Sequence, residues 1–148
     1  MTLNERITDA LKEAMKNKDE ARKRTIRAIK SQILLMQTDG TGQEITPERE
    51  LKMLQTMVKQ REDSASSYDA GNRKDLAEIE REEIAILKEF LPQQLNESEL
   101  EEILKSIIAE LGAQGAKDMG RVMGEASKRL LGKADGKIIS TMVKALLA

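Results

Sequence analysis

Apolar residues recur at intervals of three and four along nearly all of this 148-residue chain, with charged residues between them. This spacing is typical of amphipathic helices, and no stretch alternates between apolar and polar residues as a half-buried strand would. The pattern predicts an all-α fold, with an N-terminal four-helix domain followed by a small three-helix tail domain. The apolar stripes of the first two helices are Leu3, Ile7, Leu11 and Met15, then Ile26, Ile29, Ile33 and Met36.

Capping signals place the starts of the first three helices. Thr2 and Glu5 form a capping box, Asp19 can cap the second helix, and Thr46 followed by Pro47 begins the third. The other markers are a stop near Gly71, a third-helix stripe of Leu51, Leu54 and Val58, and a fourth-helix stripe of Leu76, Ile79, Ile84, Leu87 and Leu91 that is interrupted at Glu83.

A domain boundary is predicted at the Leu91-Pro92-Gln93-Gln94-Leu95 segment, because a proline ends the fourth helical pattern there. Residues 1–92 then form the N-terminal domain and residues 93–148 the tail. Three stripes follow the boundary: Leu100, Ile103, Leu104, Ile107 and Leu111 between an Asn96/Glu99 capping box and Gly112; Met119, Val122, Met123, Ala126 and Leu130 after Asp118; and Ile139, Met142, Val143 and Leu146.

The chemical inventory argues against catalysis. The chain has no histidine and no cysteine, so imidazole acid–base chemistry, thiolate attack and His/Cys metal sites are excluded. No phosphate-binding glycine-rich loop is present, so we expect no cofactor, no metal site and no catalytic residue. Lysine or carboxylate catalysis has no marker. Glu80, Glu82 and Glu83 form the one conceivable magnesium site, but a solvated acidic helix face is the favoured interpretation.

Charge is segregated along the chain although the net charge is only −1. Residues 1–37 carry a net +4, residues 38–116 carry −9, and residues 117–148 carry +4. Basic ends around an acidic middle suit an RNA-backbone contact as well as they suit ordinary solvated helix faces. No leader and no bilayer-length apolar run is evident, so a cytoplasmic protein without a membrane contact is expected.

Two glycines, Gly120 and Gly124, lie four residues apart inside the sixth helical pattern. Each costs a helix roughly 1 kcal/mol relative to alanine, and both fall on one face. Close packing against another helix is the favoured explanation for at least one of them. The alternative is a nucleic-acid backbone that approaches the helix at this face.

A second glycine-and-lysine corner runs from Gly132 through Lys133 and Asp135 to Gly136 and Lys137. In structural terms, Gly132 is expected to follow a helix as its C′ residue and Asp135 to cap the next helix. The same geometry offers free N–H groups and two lysines to a phosphate. An additional basic cluster lies earlier in the chain and is interpreted as a solvated face: Arg22, Lys23, Arg24, Arg27 and Lys30.

The motifs of the tail resemble those of the GatB/YqeY family. The Asp-Met-Gly-basic-Val-Met-Gly run from Asp118, the Leu-x-Gly-Lys-Ala-Asp-Gly-Lys corner from Leu130, and the Leu-Pro-x-Gln-Leu segment from Leu91 all follow its pattern. Met1 to Met36 is similar to the opening of the free-standing YqeY proteins, so the resemblance covers nearly the whole chain. It implies a module related to the C-terminal region of GatB, a component of the aspartyl/glutamyl-tRNA amidotransferase, where that region engages tRNA.

Three functions follow from the residues and the resemblance together. The first is a non-catalytic module that binds tRNA or another structured RNA through the basic tail. The second is a protein-interaction partner of the amidotransferase or of a synthetase. The third is the family-level activity of a carbon–nitrogen ligase with glutamine as amido-N-donor. The residues expected to contact RNA are Lys117, Arg121, Gly124, Lys128, Lys133, Gly136 and Lys137.

Overall fold

The computed structural model describes all residues from Met1 to Ala148, and it confirms the all-α class. The chain divides into two compact units, Met1–Leu91 and Pro92–Ala148. The first unit contains α1 (Leu3–Lys16), α2 (Glu20–Gln37), α3 (Pro47–Ala70) and α4 (Lys74–Lys88). The second contains α5 (Glu97–Leu111), a 3₁₀ turn (Ala116–Asp118), α6 (Met119–Arg129) and α7 (Gly136–Leu147). None of these helices combines the length and apolarity needed to cross a bilayer.

The predicted caps form. Thr2 and Glu5 complete their capping box, Asp19 accepts the N–H of Arg22, and Thr46 accepts the N–H of Arg49. Each bond satisfies one of the N–H groups that a helix start leaves without a partner. The helix starts are therefore set by local side-chain chemistry that is visible in the sequence.

The core of the first unit is aliphatic, with Phe90 as its one aromatic member. Its buried residues from α1 and α2 are Leu3, Ile7, Ala14, Ile26, Ile29 and Ile33, and those from α3, α4 and the segment after it are Met53, Leu54, Met57, Val58, Ile86, Leu87 and Phe90. Two positions of the predicted stripes are wrong. Met15 is 53% exposed and Ile79 is 41% exposed.

The Met15 error follows from helix geometry. Seven residues after Ile7 nearly complete two turns, so Ala14 returns to the buried face and is 1% exposed. One further residue rotates the side chain by about 100° toward solvent. The buried position is thus occupied by a small alanine, next to a large exposed methionine.

The interpretation of Glu83 as part of a solvated acidic helix face was wrong, since this residue is buried. It lies one turn before Ile86 and Leu87 and is only 8% exposed. Its carboxylate lies 3.5 Å from the Nε of Arg24 on α2 and 3.7 Å from the Nε of Arg61 on α3. The Nε of Arg61 is itself buried without a hydrogen-bond partner. The apparent interruption of the α4 stripe is thus a buried charge held between two arginines.

Removing this carboxylate should be costly. We expect Glu83→Ala to lower the free energy of unfolding by about 2–4 kcal/mol, because it leaves the largely buried Arg61 without a counter-charge. The matched control is Glu82→Ala, whose side chain is 56% exposed and 3.9 Å from Arg24. That change should stay within about 0.5 kcal/mol. Urea denaturation of both variants measures the difference, and equal losses would contradict the assignment of a buried ion cluster.

The second unit has its own core, built without any aromatic residue. Its buried members are Leu100, Leu104, Ile107, Val122, Ala126, Leu130, Ile139, Val143 and Leu147. Asn96 and Glu99 form the predicted capping box, and Gly112 ends α5 in the left-handed conformation at φ 60°.

We predict that the second unit folds alone. A fragment of residues 93–148 keeps its whole aliphatic core and the caps of α5 and α7. It should show a helical circular dichroism spectrum and a cooperative loss of that signal on heating. A fragment that is mostly unfolded at low temperature would rule out an independent tail domain.

Candidate nucleic-acid interface

The loop before α6 is organised by Asp118. Its carboxylate accepts the backbone N–H of Gln114 at 2.7 Å and the Nη1 of Arg121 at 3.3 Å. The pKa of Asp118 lies below its usual value, chiefly because of the Gln114 hydrogen bond and with smaller contributions from the charges of Arg121 and Lys117. Although burial acts in the opposite direction, the anionic form is favoured.

The guanidinium of Arg121 forms hydrogen bonds at both ends of this loop. Besides Asp118, its Nη2 donates to the carbonyl oxygen of Leu111 at 2.6 Å, which ties α6 to the end of α5. Arg129 is similarly engaged, with Glu125 at 2.8 Å and Glu110 at 2.7 Å. These two arginines therefore hold the tail together, and their charge is already largely compensated.

Gly120 and Gly124 are not packed against another helix, so the favoured expectation was wrong. A Cβ placed on either residue would meet no atom within 4 Å, and both residues are exposed. Because Gly120, Gly124 and Lys128 are spaced by four, they follow one face of α6. This face presents bare main chain to open space, with a lysine at its end.

Three lysines surround the link between α6 and α7. Lys128 lies in the last turn of α6, Lys133 in the corner, and Lys137 in the first turn of α7. All three are exposed, and none forms a salt bridge with a carboxylate. We call Lys128, Lys133 and Lys137 the tail lysines. Lys117 is also exposed, in the 3₁₀ turn at the other end of α6.

The corner is shaped by Gly132 and by Asp135. Helix α6 ends at Arg129, so Gly132 lies further past the helix than a C′ residue would, but its φ of 77° still requires the left-handed conformation. Asp135 caps α7, as predicted, and its carboxylate accepts the N–H of Lys137 at 3.1 Å. This N–H is one that a phosphate would have used. The lysine side chains, not the start of α7, are therefore the accessible positive groups.

One contact was not anticipated from the sequence. The Nε2 of Gln94 donates to the carbonyl oxygen of Gly132 at 2.6 Å and to that of Pro92 at 2.8 Å. The N–H of Leu95 also donates to the carbonyl oxygen of Lys133 at 3.0 Å. The Leu-Pro-x-Gln-Leu segment thus holds the glycine corner directly. The sequence signal for this contact was weak: Gln94 in one motif and Gly132 in the other had no partner that the sequence could identify.

The earlier basic cluster on α2 is mostly neutralised. Arg22 pairs with Glu89 at 2.7 Å, and Lys23 pairs with Glu20 at 2.7 Å. Arg24 faces the buried Glu83. Elsewhere, no group of three or more acidic residues is arranged to hold a metal ion. Arg27 and Lys30 of the α2 cluster are exposed and form no salt bridge, so the tail lysines are one of two cationic sets that the fold leaves without carboxylate partners.

Comparison with known proteins identifies the family. The model of the Yqey-like protein family matches residues 4–147. The chain belongs to this family. It is 36% identical over 142 residues to the altered inheritance of mitochondria protein 41, mitochondrial, of Clavispora lusitaniae, covering 92% of this chain and 82% of that protein. The protein of the same name from Pyrenophora tritici-repentis is 28% identical over 146 residues, with 96% and 79% covered.

A shorter match links the chain to an amidotransferase. One of the subunits of the glutamyl-tRNA(Gln) amidotransferase of Thermococcus gammatolerans is 39% identical over 54 residues, which is 34% of this chain and 9% of that protein. This agrees with the relationship between the YqeY-like and GatB proteins. The names of the two fungal relatives place those proteins in mitochondria, so they lend no support to the expectation of a cytoplasmic location.

The exposed glycine face gives a stability prediction. Gly124→Ala should raise the free energy of unfolding by about 0.5–1 kcal/mol, because alanine loses less backbone entropy in a helix and meets no neighbour here. Gly112→Ala is the control. Its φ of 60° disfavours a Cβ, so that change should destabilise the protein. Thermal denaturation of both variants tests this, and a loss of stability in Gly124→Ala would mean that the face is packed.

Proposed function

We propose that this YqeY-like protein is a non-catalytic helical module that binds tRNA or another structured RNA through its second unit. The observation that carries the proposal is the set of three exposed tail lysines without carboxylate partners, next to a helix face that lacks side chains at Gly120 and Gly124. The family relationship to amidotransferase components supplies the class of RNA. Lys117 extends the cationic surface along α6.

Contacts in this interface are to phosphate. The second unit contains no Phe, Tyr or Trp, so bases have no aromatic side chain on which to stack. Lysine ammonium groups bind phosphate as point charges and read no sequence. At Gly124 and Gly136, the absence of a side chain leaves room for a sugar-phosphate backbone close to the main chain. Binding should follow the shape of a folded RNA and tolerate changes of base sequence.

Arg121 has a different role in this proposal. Its guanidinium already bonds Asp118 and the Leu111 carbonyl, so it shapes the loop beneath the interface. Any phosphate contact that it makes is added to those bonds. We expect the tail lysines to account for most of the salt dependence of binding.

The decisive measurement is fluorescence anisotropy with labelled tRNA at several salt concentrations. Each phosphate contact releases condensed counterions, so log affinity should fall linearly with log salt, by roughly 0.7–0.9 per contact. The double variant Lys133→Gln, Lys137→Gln should bind tRNA more weakly. The slope of log affinity against log salt should become shallower by roughly 1.4–1.8, as expected for two lost phosphate contacts. Gly124→Leu should weaken binding without loss of stability, since the added side chain occupies the space that the backbone needs.

The matched control is the double variant Lys52→Gln, Lys88→Gln, which removes the same charge from two exposed lysines of the first unit. This control should leave the slope of log affinity against log salt nearly unchanged. If this control loses as much affinity as the tail variant, the tail is not the site. If the wild-type protein shows no salt-dependent binding to tRNA, the alternative of a protein-interaction partner of the amidotransferase replaces this proposal.

A further inference from the structure

The first unit contains an open groove of about 860 Å³, distant in sequence from the tail lysines. It lies where the starts of α1 and α3 meet the end of α2 and the segment that follows α4. Its walls are largely apolar and come from five separate places in the chain: Leu3, Ile33, Ile45, Leu51, Leu54 and Phe90. Leu3, Ile33, Leu54 and Phe90 are buried members of the core, so the groove borders the core, and Ile45 and Leu51 supply its partly exposed apolar surface.

Glu50 lies among these apolar walls without a partner for its carboxylate. It is half-buried, and its side chain forms no hydrogen bond or salt bridge. Burial raises the pKa of this carboxyl above its usual value. A partly desolvated carboxylate with no partner costs stability. Glu50 lies in the first turn of α3, where the helix N-terminus favours a negative charge, but no side chain of the first unit pairs with it.

The other charged groups that line the groove are already satisfied. The carboxylate of Glu5 accepts the N–H of Thr2 at 3.1 Å in the α1 capping box. The guanidinium of Arg6 donates to the carbonyl oxygens of Glu89 and Phe90 at 3.3 and 3.5 Å, and it lies 5.4 Å from the centre of the Phe90 ring. Glu50 is thus the one charged side chain lining the groove that lacks a partner.

Two large apolar side chains are exposed on segments that form the groove. Leu34 is 59% exposed and lies one turn before Gln37, which lines the groove. Met1, which also lines it, is 81% exposed. Single exposed apolar residues are ordinary on protein surfaces, so the features that indicate a binding surface are the groove itself and Glu50.

We propose that this groove binds an amphipathic helical segment of a partner protein that places a lysine or arginine against Glu50. Such a segment offers apolar side chains at i, i+3 or i+4, and i+7 to the apolar walls, which is how helices bind in hydrophobic grooves. A cation at one edge of that face meets the carboxylate that the fold leaves unpaired. The charge complementarity favours a basic segment over an acidic one.

The test uses the full-length protein labelled with ¹⁵N and two synthetic helical peptides of roughly four turns, about 14 residues. One peptide consists of leucine and lysine, and the other has glutamate in place of every lysine. The leucine–lysine peptide should shift the backbone amide signals of residues around the groove, such as Glu5, Gln37 and Leu51. The leucine–glutamate peptide should bind at least roughly tenfold more weakly, because it brings a like charge to Glu50.

The matched pair of variants is Glu50→Gln and Glu62→Gln, which remove the same charge from the same helix. Glu62 is exposed and lies outside the groove. Glu50→Gln should weaken binding of the leucine–lysine peptide by roughly three- to tenfold, as expected for one lost charge-assisted contact. It should not lower stability, since it removes an unpaired charge. Glu62→Gln should leave affinity unchanged within about twofold.

Three outcomes would overturn the proposal. Equal losses in the two variants would show that the peptide is attracted only by overall charge. Amide shifts confined to other surfaces, or no shifts with peptide at millimolar concentration, would show that the groove does not bind such segments. The groove would instead be assigned to a second copy of this chain if the protein dimerises without peptide and the same amide signals shift as its concentration rises.

Discussion

The hydrogen bonds between the Gln94 segment and the Gly132 corner fix the geometry of the second unit. This unit has no aromatic residue and no disulfide, so adaptable aliphatic packing must be complemented by directional contacts. The carboxamide of Gln94 bonds the Gly132 carbonyl, and the N–H of Leu95 bonds the Lys133 carbonyl. These bonds anchor the turn that orients both Lys133 and the start of α7. Exposed lysines are flexible, but their attachment points are held in place.

The two units use polar groups differently. In the first unit, Glu83 lies between Arg24 and Arg61, and the desolvation of Glu83 and Arg61 is offset by the attraction between the carboxylate and the two guanidinium groups. Buried ion pairs in proteins can often be replaced by apolar residues of similar size without loss of stability. Here the carboxylate of Glu83 connects α4 to both α2 and α3. Glu50 has no such compensation. This residue is only half-buried and lies in the first turn of α3, so solvent and the helix N-terminus stabilise it in part, but no side chain neutralises it.

Most of the helical framework was predictable because it depends on neighbours in sequence. Caps at Thr2, Asp19 and Asn96 bond groups only three residues away, so the sequence contains both partners. The error at Met15 follows from local helix geometry, whereas those at Glu83 and Gly124 concern contacts that are remote in the chain. Nothing near Glu83 announces that arginines from two other helices will surround it. Likewise, no local signal could show that Gly124 faces open space instead of another helix.

The candidate site was predicted in part for the same reason. Its residue types follow from the sequence, but their division into engaged and available cations required the structure. Arg121 and Arg129 are neutralised by contacts across the tail, whereas Lys128, Lys133 and Lys137 are not. The exposed glycine pair in α6 costs stability without improving packing, and the three tail lysines have no carboxylate partner. Packing explains neither feature. In the proposed interface, a bound polyanion would neutralise the tail lysines and would find the main chain accessible at the two glycines.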